Sequence, residues 1–267
     1  MKSITSSENP LFKQLIKLSE SAVQRRESGL TLLDGMHLIT AYRASLGSPQ
    51  RLVIGESAIQ NEEVKGLLVQ LEREQSVPVV VMSDSLFRAV SQVKTPVGII
   101  ALIPIPLMDT IPVYQGESFS VLLETIQDPG NLGSILRSAA AAGAVDIYLS
   151  TGCADAWSPK TLRASMGAHF KLRIHEQSDL IKVAREFSGK VIATTLHAKS
   201  HLYQAQLTGP VAFLFGNEGA GLSNEVLQSS NDQMSIHMPG GTESLNVAAA
   251  AAVCFFERVR QSAEVIK

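Results

Sequence analysis

Apolar residues recur at Leu11, Phe12, Leu15, Ile16 and Leu18, a spacing that predicts a helix over residues 10–24. The period then changes. Residues 30–33 (LTLL) read as a short strand, Asp34-Gly35 as a turn, and the following stretch as a helix to Leu46. RLVIGES, VPVVVMS and VGIIALI read as strands, EEVKGLLVQLERE as a helix and SDSLFRAVSQ as a capped helix. Strands alternating with helices predict an α/β unit with a largely parallel sheet, ending near Ile103. Residues 104–118 (PIPLMDTIPVYQGES) hold three prolines and a glycine without periodicity and read as a linker. The alternation then resumes. FSVLLETI, VDIYLS, KVIATTL, VAFLFG and QMSIHMP read as strands, and FKLRIHE as extended chain. NLGSILRSAAAAG, SPKTLRASMGA (kinked at Gly167), SDLIKVAREFSG (stopped by Gly189), LSNEVLQSS and a closing alanine-rich stretch read as helices.

Three loops of this second half are rich in Gly, Asn or Ser. The first is QDPGNLGSILRSAAAAG, residues 127–143. Asp128-Pro129-Gly130 makes a turn, Asn131 stands where a helix N-cap belongs, and Gly143 where the helix stops. Arg137 lies in the second turn, and its side chain leans back past Gly133 and Ser134 toward the helix start. A helix N-terminus with an arginine fits a phosphate site; a capped helix with a surface arginine fits the same residues. The second loop is FLFGNEGAGLS, residues 213–223. Its glycines permit close backbone approach, and Glu218 reads equally as a cap, a ligand acceptor or an acid/base group. The third is MPGGTESLNVAAAAAVCFFE, residues 238–257, where Ser244 or Asn246 can cap the last helix. One cap explains one polar residue and not both. The alanines permit close helix packing whatever the function.

Composition removes several classes. The chain has 267 residues, 45% hydrophobic and 18% charged, an ordinary balance for one or two globular domains. Net charge is −2, so no overall basic field marks a nucleic-acid binder. Local basic clusters remain at Lys2, Lys13, Lys17, Arg25 and Arg26, and at Lys160, Arg163, Lys171 and Arg173. Cys153 and Cys254 are the two cysteines, which suits a reducing compartment and excludes a disulfide framework. The N-terminus has no apolar core of signal-peptide length, and no run of 18 apolar residues exists. A cytoplasmic protein without a membrane span is expected. His197 and His201 stand four apart but lack an evident third ligand, so no metal is expected. Walker, G-x-G-x-x-G and G-x-S-x-G motifs are absent. Phe12, Phe87, Phe255 and Phe256 read as core.

Taken together, the three loops resemble the signatures of the SpoU (TrmH) family of RNA ribose 2′-O-methyltransferases, of the SPOUT class. DPGNLGSILRSA carries Asn131 and Arg137, FLFGNEGAGLS carries Glu218, and IHMPGGTESLNVAAAAAV carries Ser244 and Asn246. LRASMGAHFKL, residues 162–172, is also similar to the family's segment. The likeness runs over about residues 119–260. It implies a C-terminal α/β methyltransferase domain (119–267) with a trefoil knot, whose last helix packs on crossed backbone where bulky side chains do not fit. ITSSENPLFKQLIKL, TLLDGMHLI and TPVGIIALI resemble the family's RNA-binding extension, a small ribosomal-protein-like α/β domain, here residues 1–103; Asp34 stands where glutamate is expected. The resemblance further implies S-adenosylmethionine as cofactor, with Gly216, Ile236 and Leu245 lining its site and Thr194, Leu196 and Met238 adjacent. It implies catalytic roles for Asn131, Arg137, Glu218, Ser244 and Asn246. Family proposals make the arginine the proton acceptor; because arginine stays protonated in nearly every setting, Arg137 is assigned here to RNA phosphate and the developing alkoxide, with proton acceptance left open. A homodimer acting on RNA, ribosomal RNA ahead of transfer RNA, completes the expectation. The rival readings are a non-catalytic RNA-binding or ribosome-assembly factor that retains the fold, and an enzyme using the glycine loops for a nucleotide such as ATP or NAD.

Overall fold

The computed structural model describes residues 2–74, 77–110 and 118–265. The first half runs β1 (Lys2–Ile4), α1 (Pro10–Glu20), α2 (Ala22–Ser28), β2 (Leu30–Asp34), α3 (Met36–Leu46), β3 (Arg51–Gly55), α4 (Glu62–Glu74), β4 (Val79–Met82), α5 (Asp84–Val90) and β5 (Ile99–Pro104). The second runs β6 (Phe119–Leu123), α6 (Pro129–Ala141), β7 (Asp146–Leu149), α7 (Pro159–Ser165), β8 (Arg173–His175), α8 (Leu180–Glu186) and β9 (Lys190–Thr194). It ends with β10 (Ser200–His201), β11 (Val211–Phe215), α9 (Asn224–Gln228), β12 (Asp232–Ser235) and α10 (Val247–Val265). Two compact units result: Met1–Ile111 with Trp157–Phe170, and Pro112–Ala156 with Lys171–Lys267.

The first unit is built on a five-stranded sheet of order β1-β4-β3-β5-β2. β4 runs parallel to β1 and β3, but β5 is antiparallel to both β2 and β3, so the sheet is mixed rather than largely parallel. Leu15 and Leu18 of α1 pack with Val53, Val80, Ile100 and Leu102 on one face. The helix expected over residues 10–24 is two helices: Ser21 takes an extended conformation (φ −114°, ψ 115°), ends α1 and caps α2 by accepting from the Gln24 N–H. The segment around α7, grouped by its sequence with the second half, packs within this unit. Thr31 Oγ1 donates to the Trp157 carbonyl at 2.6 Å, and Tyr42 meets Phe170 edge-on at 5.3 Å. Gly167 ends α7 rather than kinking it: Met166 and Gly167 both have positive φ, and a Cβ on Gly167 would lie 2.8 Å from Ala41 Cβ. Asp34 accepts from Ser91 Oγ at 2.6 Å. Burial pushes its carboxyl above the usual carboxylate range, and the Ser91 bond and the Arg163 charge pull only part of the way back.

The second unit is a seven-stranded, all-parallel sheet of order β10-β12-β9-β11-β6-β7-β8. All residues of β6 and β11 are buried, as expected for strands covered on both faces. The alanine-rich α10 lies along α6. Ala251 and Cys254 are fully buried, and Phe255 meets Phe119 and Phe215 edge-on at 5.4 and 5.6 Å. Phe12, Phe87 and Phe255 are core, whereas Phe256 is 50% exposed. α8 stops at Glu186, ahead of Gly189; that glycine answers instead to close approach, since a Cβ there would stand 2.4 Å from the Pro210 carbonyl oxygen. Of the expected linker, residues 111–117 lie outside the described residues, and Met108–Thr110 form a 3₁₀ turn. Among the described residues no helix is long and apolar enough to cross a membrane.

Candidate functional site

In a parallel sheet every strand delivers its carboxyl end to the same side, and the loops leaving those ends form the natural ligand crevice. Here β9, β11 and β12 end at Thr194, Phe215 and Ser235. The loops that follow line a cleft of about 420 Å³, within the usual range for a small-ligand site. All six residues implied for a cofactor, Thr194, Leu196, Gly216, Ile236, Met238 and Leu245, stand on its wall. Ser244 and Glu218 line it too. Leu196 and Leu245 are 57% and 41% exposed, an apolar surface that no other element of this unit covers fully. No lysine or arginine stands among the described residues of the wall.

The loop after β11 is rigid for identifiable reasons. Asn217 and Gly221 exchange both backbone hydrogen bonds, at 3.1 and 2.9 Å. The Asn217 side chain accepts from the Gly219 and Ala220 N–H groups and donates to the Thr125 carbonyl at 3.0 Å. Ser223 donates through both N and Oγ to the two oxygens of Glu124, each at 2.7 Å. Within this knuckle Gly216 faces backbone only: a Cβ there would lie 2.2 Å from the Gly221 carbonyl carbon. Thr125, at the end of β6, holds a φ of 51°, a strained setting for a β-branched residue. Asn217 and Glu124 escaped the sequence reading. The Asn-x-Gly spacing of an Asx turn was a usable signal for Asn217; nothing local marks Glu124.

The start of α6 differs from expectation. Its N-cap is Asp128, whose carboxylate accepts from the Asn131 N–H at 2.7 Å, with Pro129 in the first turn. Asn131 is therefore one turn into the helix, and its side chain is released for other partners. Its Nδ2 donates to Glu218 Oε1 at 2.6 Å. Its Oδ1 accepts from Asn246 Nδ2 at 2.9 Å. Asn246 in turn caps α10, its Oδ1 accepting from the N–H groups of Ala248 and Ala249 at 3.0 and 3.3 Å. Three positions separated by 87 and 115 residues in sequence are thus joined into one network at the rim of the cleft. Ser244 precedes the cap and does not share in it.

Arg137 is brought to neither group. It is exposed on α6, outside the cleft wall, and makes no hydrogen bond or ion pair among the described residues. His197 lines the cleft, whereas His201 pairs with Ser235 Oγ at 3.0 Å. Among the described residues no three or more His, Cys, Asp or Glu side chains converge as a metal site. Both cysteines are free thiols, and burial pushes that of Cys254 up to about 12.

Comparison with known proteins agrees with this geometry. The profile of the "SpoU rRNA Methylase family" matches residues 118–256, and that of the "MRM3-like substrate binding domain" residues 9–101. The chain is 34% identical over 97% of its length to an uncharacterized tRNA/rRNA methyltransferase of Synechocystis, covering 94% of that protein. It is 29% identical over 96% of its length to the 23S rRNA (guanosine(2553)-2′-O)-methyltransferase RlmP of Bacillus subtilis, covering 98% of it. Among solved structures, the SpoU methyltransferase AviRb of Streptomyces viridochromogenes in complex with AdoMet superposes with a TM-score of 0.84 at 28% identity. That match covers 95% of this chain and 98% of the other. A parallel sheet with its crevice at the carboxyl ends, a glycine knuckle after β11, and an Asn131–Glu218–Asn246 network at the rim come together with a profile match over more than half the chain, and the chain belongs to the SpoU rRNA Methylase family.

Proposed function

We propose that this protein methylates a ribose 2′-hydroxyl of ribosomal RNA with S-adenosylmethionine as donor. The observation that carries the reading is the cleft at the ends of β9, β11 and β12: mixed apolar and neutral polar, free of lysine and arginine on its described wall, with Glu218 as the one acidic side chain there, and bordered by the amide network. That wall suits a cationic sulfonium, which a nearby ammonium or guanidinium would repel. When bound there, S-adenosylmethionine supplies an electrophilic methyl group.

The residues present fit the donor. Leu196 and Leu245 offer apolar surface to a planar base, and Ile236 and Met238 line the cleft with them. Gly216 allows the knuckle to close, and Thr194 closes the far wall, its Oγ1 donating to the Leu214 carbonyl at 2.9 Å. Toward the acceptor, Ser244 lies on the wall two residues before the Asn246 cap, and in this reading it holds the ribose hydroxyl. Asn131 and Asn246 orient the sugar, and Glu218 sets the direction of both amides. Arg137, without an ion pair among the described residues, binds the RNA phosphate and stabilises developing negative charge on the oxygen.

The reading includes a homodimer. Arg137 is exposed on α6 off the cleft of its own chain, and α10, which packs along α6, carries exposed Ala249 and half-exposed Phe256; in this reading a second copy covers the phenylalanine and brings its own arginine to the cleft. It also includes a trefoil knot, with which the small-residue helix α10 packed along α6 is in keeping, an RNA-binding role for residues 1–103 ahead of a linker at 104–118 and the methyltransferase domain at 119–267, and a cytoplasmic site of action in keeping with two free thiols. The test is transfer of labelled methyl from S-adenosylmethionine to in vitro transcribed large-subunit ribosomal RNA, followed by mapping of 2′-O-methyl positions. Cofactor binding without transfer to any ribosomal RNA favours the non-catalytic assembly factor instead.

A further inference from the structure

A second cleft, of about 410 Å³, lies wholly within the first unit, where the 3₁₀ turn Glu56–Gln60, α5 and the 94–98 loop meet. It is closed by design of the backbone: Gly98 has φ +89°, and a Cβ there would lie 2.3 Å from Ala58 Cβ. The floor includes the ring of Phe87, 2% exposed. The one acid on the wall, Asp84, is committed to the wall itself, its Oδ1 accepting from both N and Oγ of Ser57 at 3.0 Å. Other side chains on the wall bring donors. Arg88 and Lys94 are exposed and make no ion pair or hydrogen bond among the described residues. Asn61 spends its Oδ1 on the Glu63 and Val64 N–H groups, which leaves its NH₂ without a partner among the described residues. The Thr95 hydroxyl stands beside them.

In the basic cluster that the sequence displays at the N-terminus, Lys17 and Arg26 are exposed but lie outside this cleft. Lys13 pairs with Glu8, and Arg25 is buried, donating to the Leu18 carbonyl. Two free cations with two neutral donors around a nucleotide-sized cleft are the chemistry of a phosphodiester site, in a chain whose net charge is −2. We propose that this cleft is an RNA-backbone contact of the substrate-binding unit, with Arg88 and Lys94 on phosphate oxygens and Asn61 and Thr95 on the sugar-phosphate oxygens beside them. The assignment rests on the RNA-methylating function proposed above and adds where in the first unit the RNA is gripped.

The test compares Arg88→Gln/Lys94→Gln with Lys17→Gln/Arg26→Gln, which removes the same charge from exposed positions elsewhere on the unit. RNA affinity is measured by fluorescence anisotropy on in vitro transcribed large-subunit ribosomal RNA across a salt series, alongside methyl-transfer kinetics and S-adenosylmethionine titration. Each lost phosphate contact lowers the slope of log K against log salt by about 0.7 to 0.9, so the cleft variant is expected to be shallower than wild type by about 1.4 to 1.8. Its KM for RNA rises while kcat at saturating RNA and cofactor affinity stay at wild-type values; the control variant keeps the wild-type slope. An unchanged slope in the cleft variant, or an equal loss in both variants, overturns the site. Wild-type protein that binds no ribosomal RNA at all sinks the functional reading, and is distinguished by failing before any variant is made.

Discussion

Gly216→Ala is the sharpest probe of the cleft. The added Cβ would lie 2.2, 2.3 and 2.4 Å from the Gly221 carbon and oxygen and the Leu222 nitrogen. Carbon contacts settle at about 3.5 to 4.0 Å, so the overlap exceeds about 1 Å and falls on backbone, which has no rotamer to yield. Relief requires the 217–221 knuckle to open, at the expense of the paired bonds Asn217 N–H to Gly221 O and Gly221 N–H to Asn217 O. Two such bonds are worth about 1 to 3 kcal/mol net, the same range as overpacking a core by one methyl. For a domain of this size that lowers Tm by about 2 to 12 °C. The displaced wall also loses contact with a bound ligand, and one lost hydrogen bond of about 1.4 kcal/mol is a tenfold change in Kd. Thermal melting with and without S-adenosylmethionine, together with calorimetric titration, reads both effects. Wild-type Tm and wild-type cofactor affinity in the alanine variant would refute the claim that backbone closure at Gly216 shapes the cleft.

Three further outcomes are expected. Arg137→Ala abolishes methyl transfer while leaving cofactor affinity unchanged, because the residue lies off the cleft wall; full activity removes it from the mechanism. Asn131→Ala and Glu218→Ala, made singly and together, are coupled in a double-mutant cycle of kcat/KM by at least about 0.5 kcal/mol, because the 2.6 Å bond joins them; additive losses show that the bond plays no part in turnover. Acid stability should depend on Asp146, where burial raises the carboxyl pKa but the hydrogen bonds from His175 and Arg173 outweigh it and hold it below the ordinary range. A depressed folded-state pKa means stability that is complete above the unfolded value of about 3.9 and lost as pH falls through the folded one. Asp146→Asn removes that dependence, so its urea midpoint falls less steeply than wild type below about pH 4; parallel slopes contradict the assignment.

What the sequence reveals and what it hides follow from the range of the interactions concerned. The loops at 127–143, 213–223 and 238–246 were visible because glycine, asparagine and serine at strand ends report local backbone demands. Local chemistry also misled: Asn131 looks like a cap, but the proline at 129 makes Asp128 the residue before the helix, and so the cap. Ser21 sits inside a helical spacing and breaks it, since a capping serine can serve a second helix as well as continue the first. The losses are otherwise non-local. β1 is three residues that gain strand character only by pairing with β4, nearly 80 positions on, and β5 shows the same apolar run whether its neighbours are parallel or antiparallel. The segment 157–170 belongs with the first unit through the Thr31–Trp157 bond and the Tyr42–Phe170 contact, neither of which leaves a trace in either local pattern. Glu124 acts on Ser223 across 99 residues and is likewise silent in sequence.

The rim network has a direction, and the direction limits what it can do. The Ala248 and Ala249 N–H groups can only donate, so Asn246 must present its oxygen to them and its NH₂ outward. Asn131 must then offer its oxygen to Asn246 and its NH₂ to Glu218, an acceptor whenever it is ionised. Both amides are locked from their two ends, with no freedom to flip. What remains for a ligand is the second N–H of each NH₂ group: two donors, aimed by a helix terminus at one end and a carboxylate at the other. Such a pair holds sugar or phosphate oxygens and takes no proton. Among the residues of this network Glu218 alone can, and its bond to Asn131 links it through Asn246 to the α10 cap. If the proposed reaction runs at this rim, its proton passes to Glu218, to a group outside the network, or to water, and orientation is the one role left to the two asparagines.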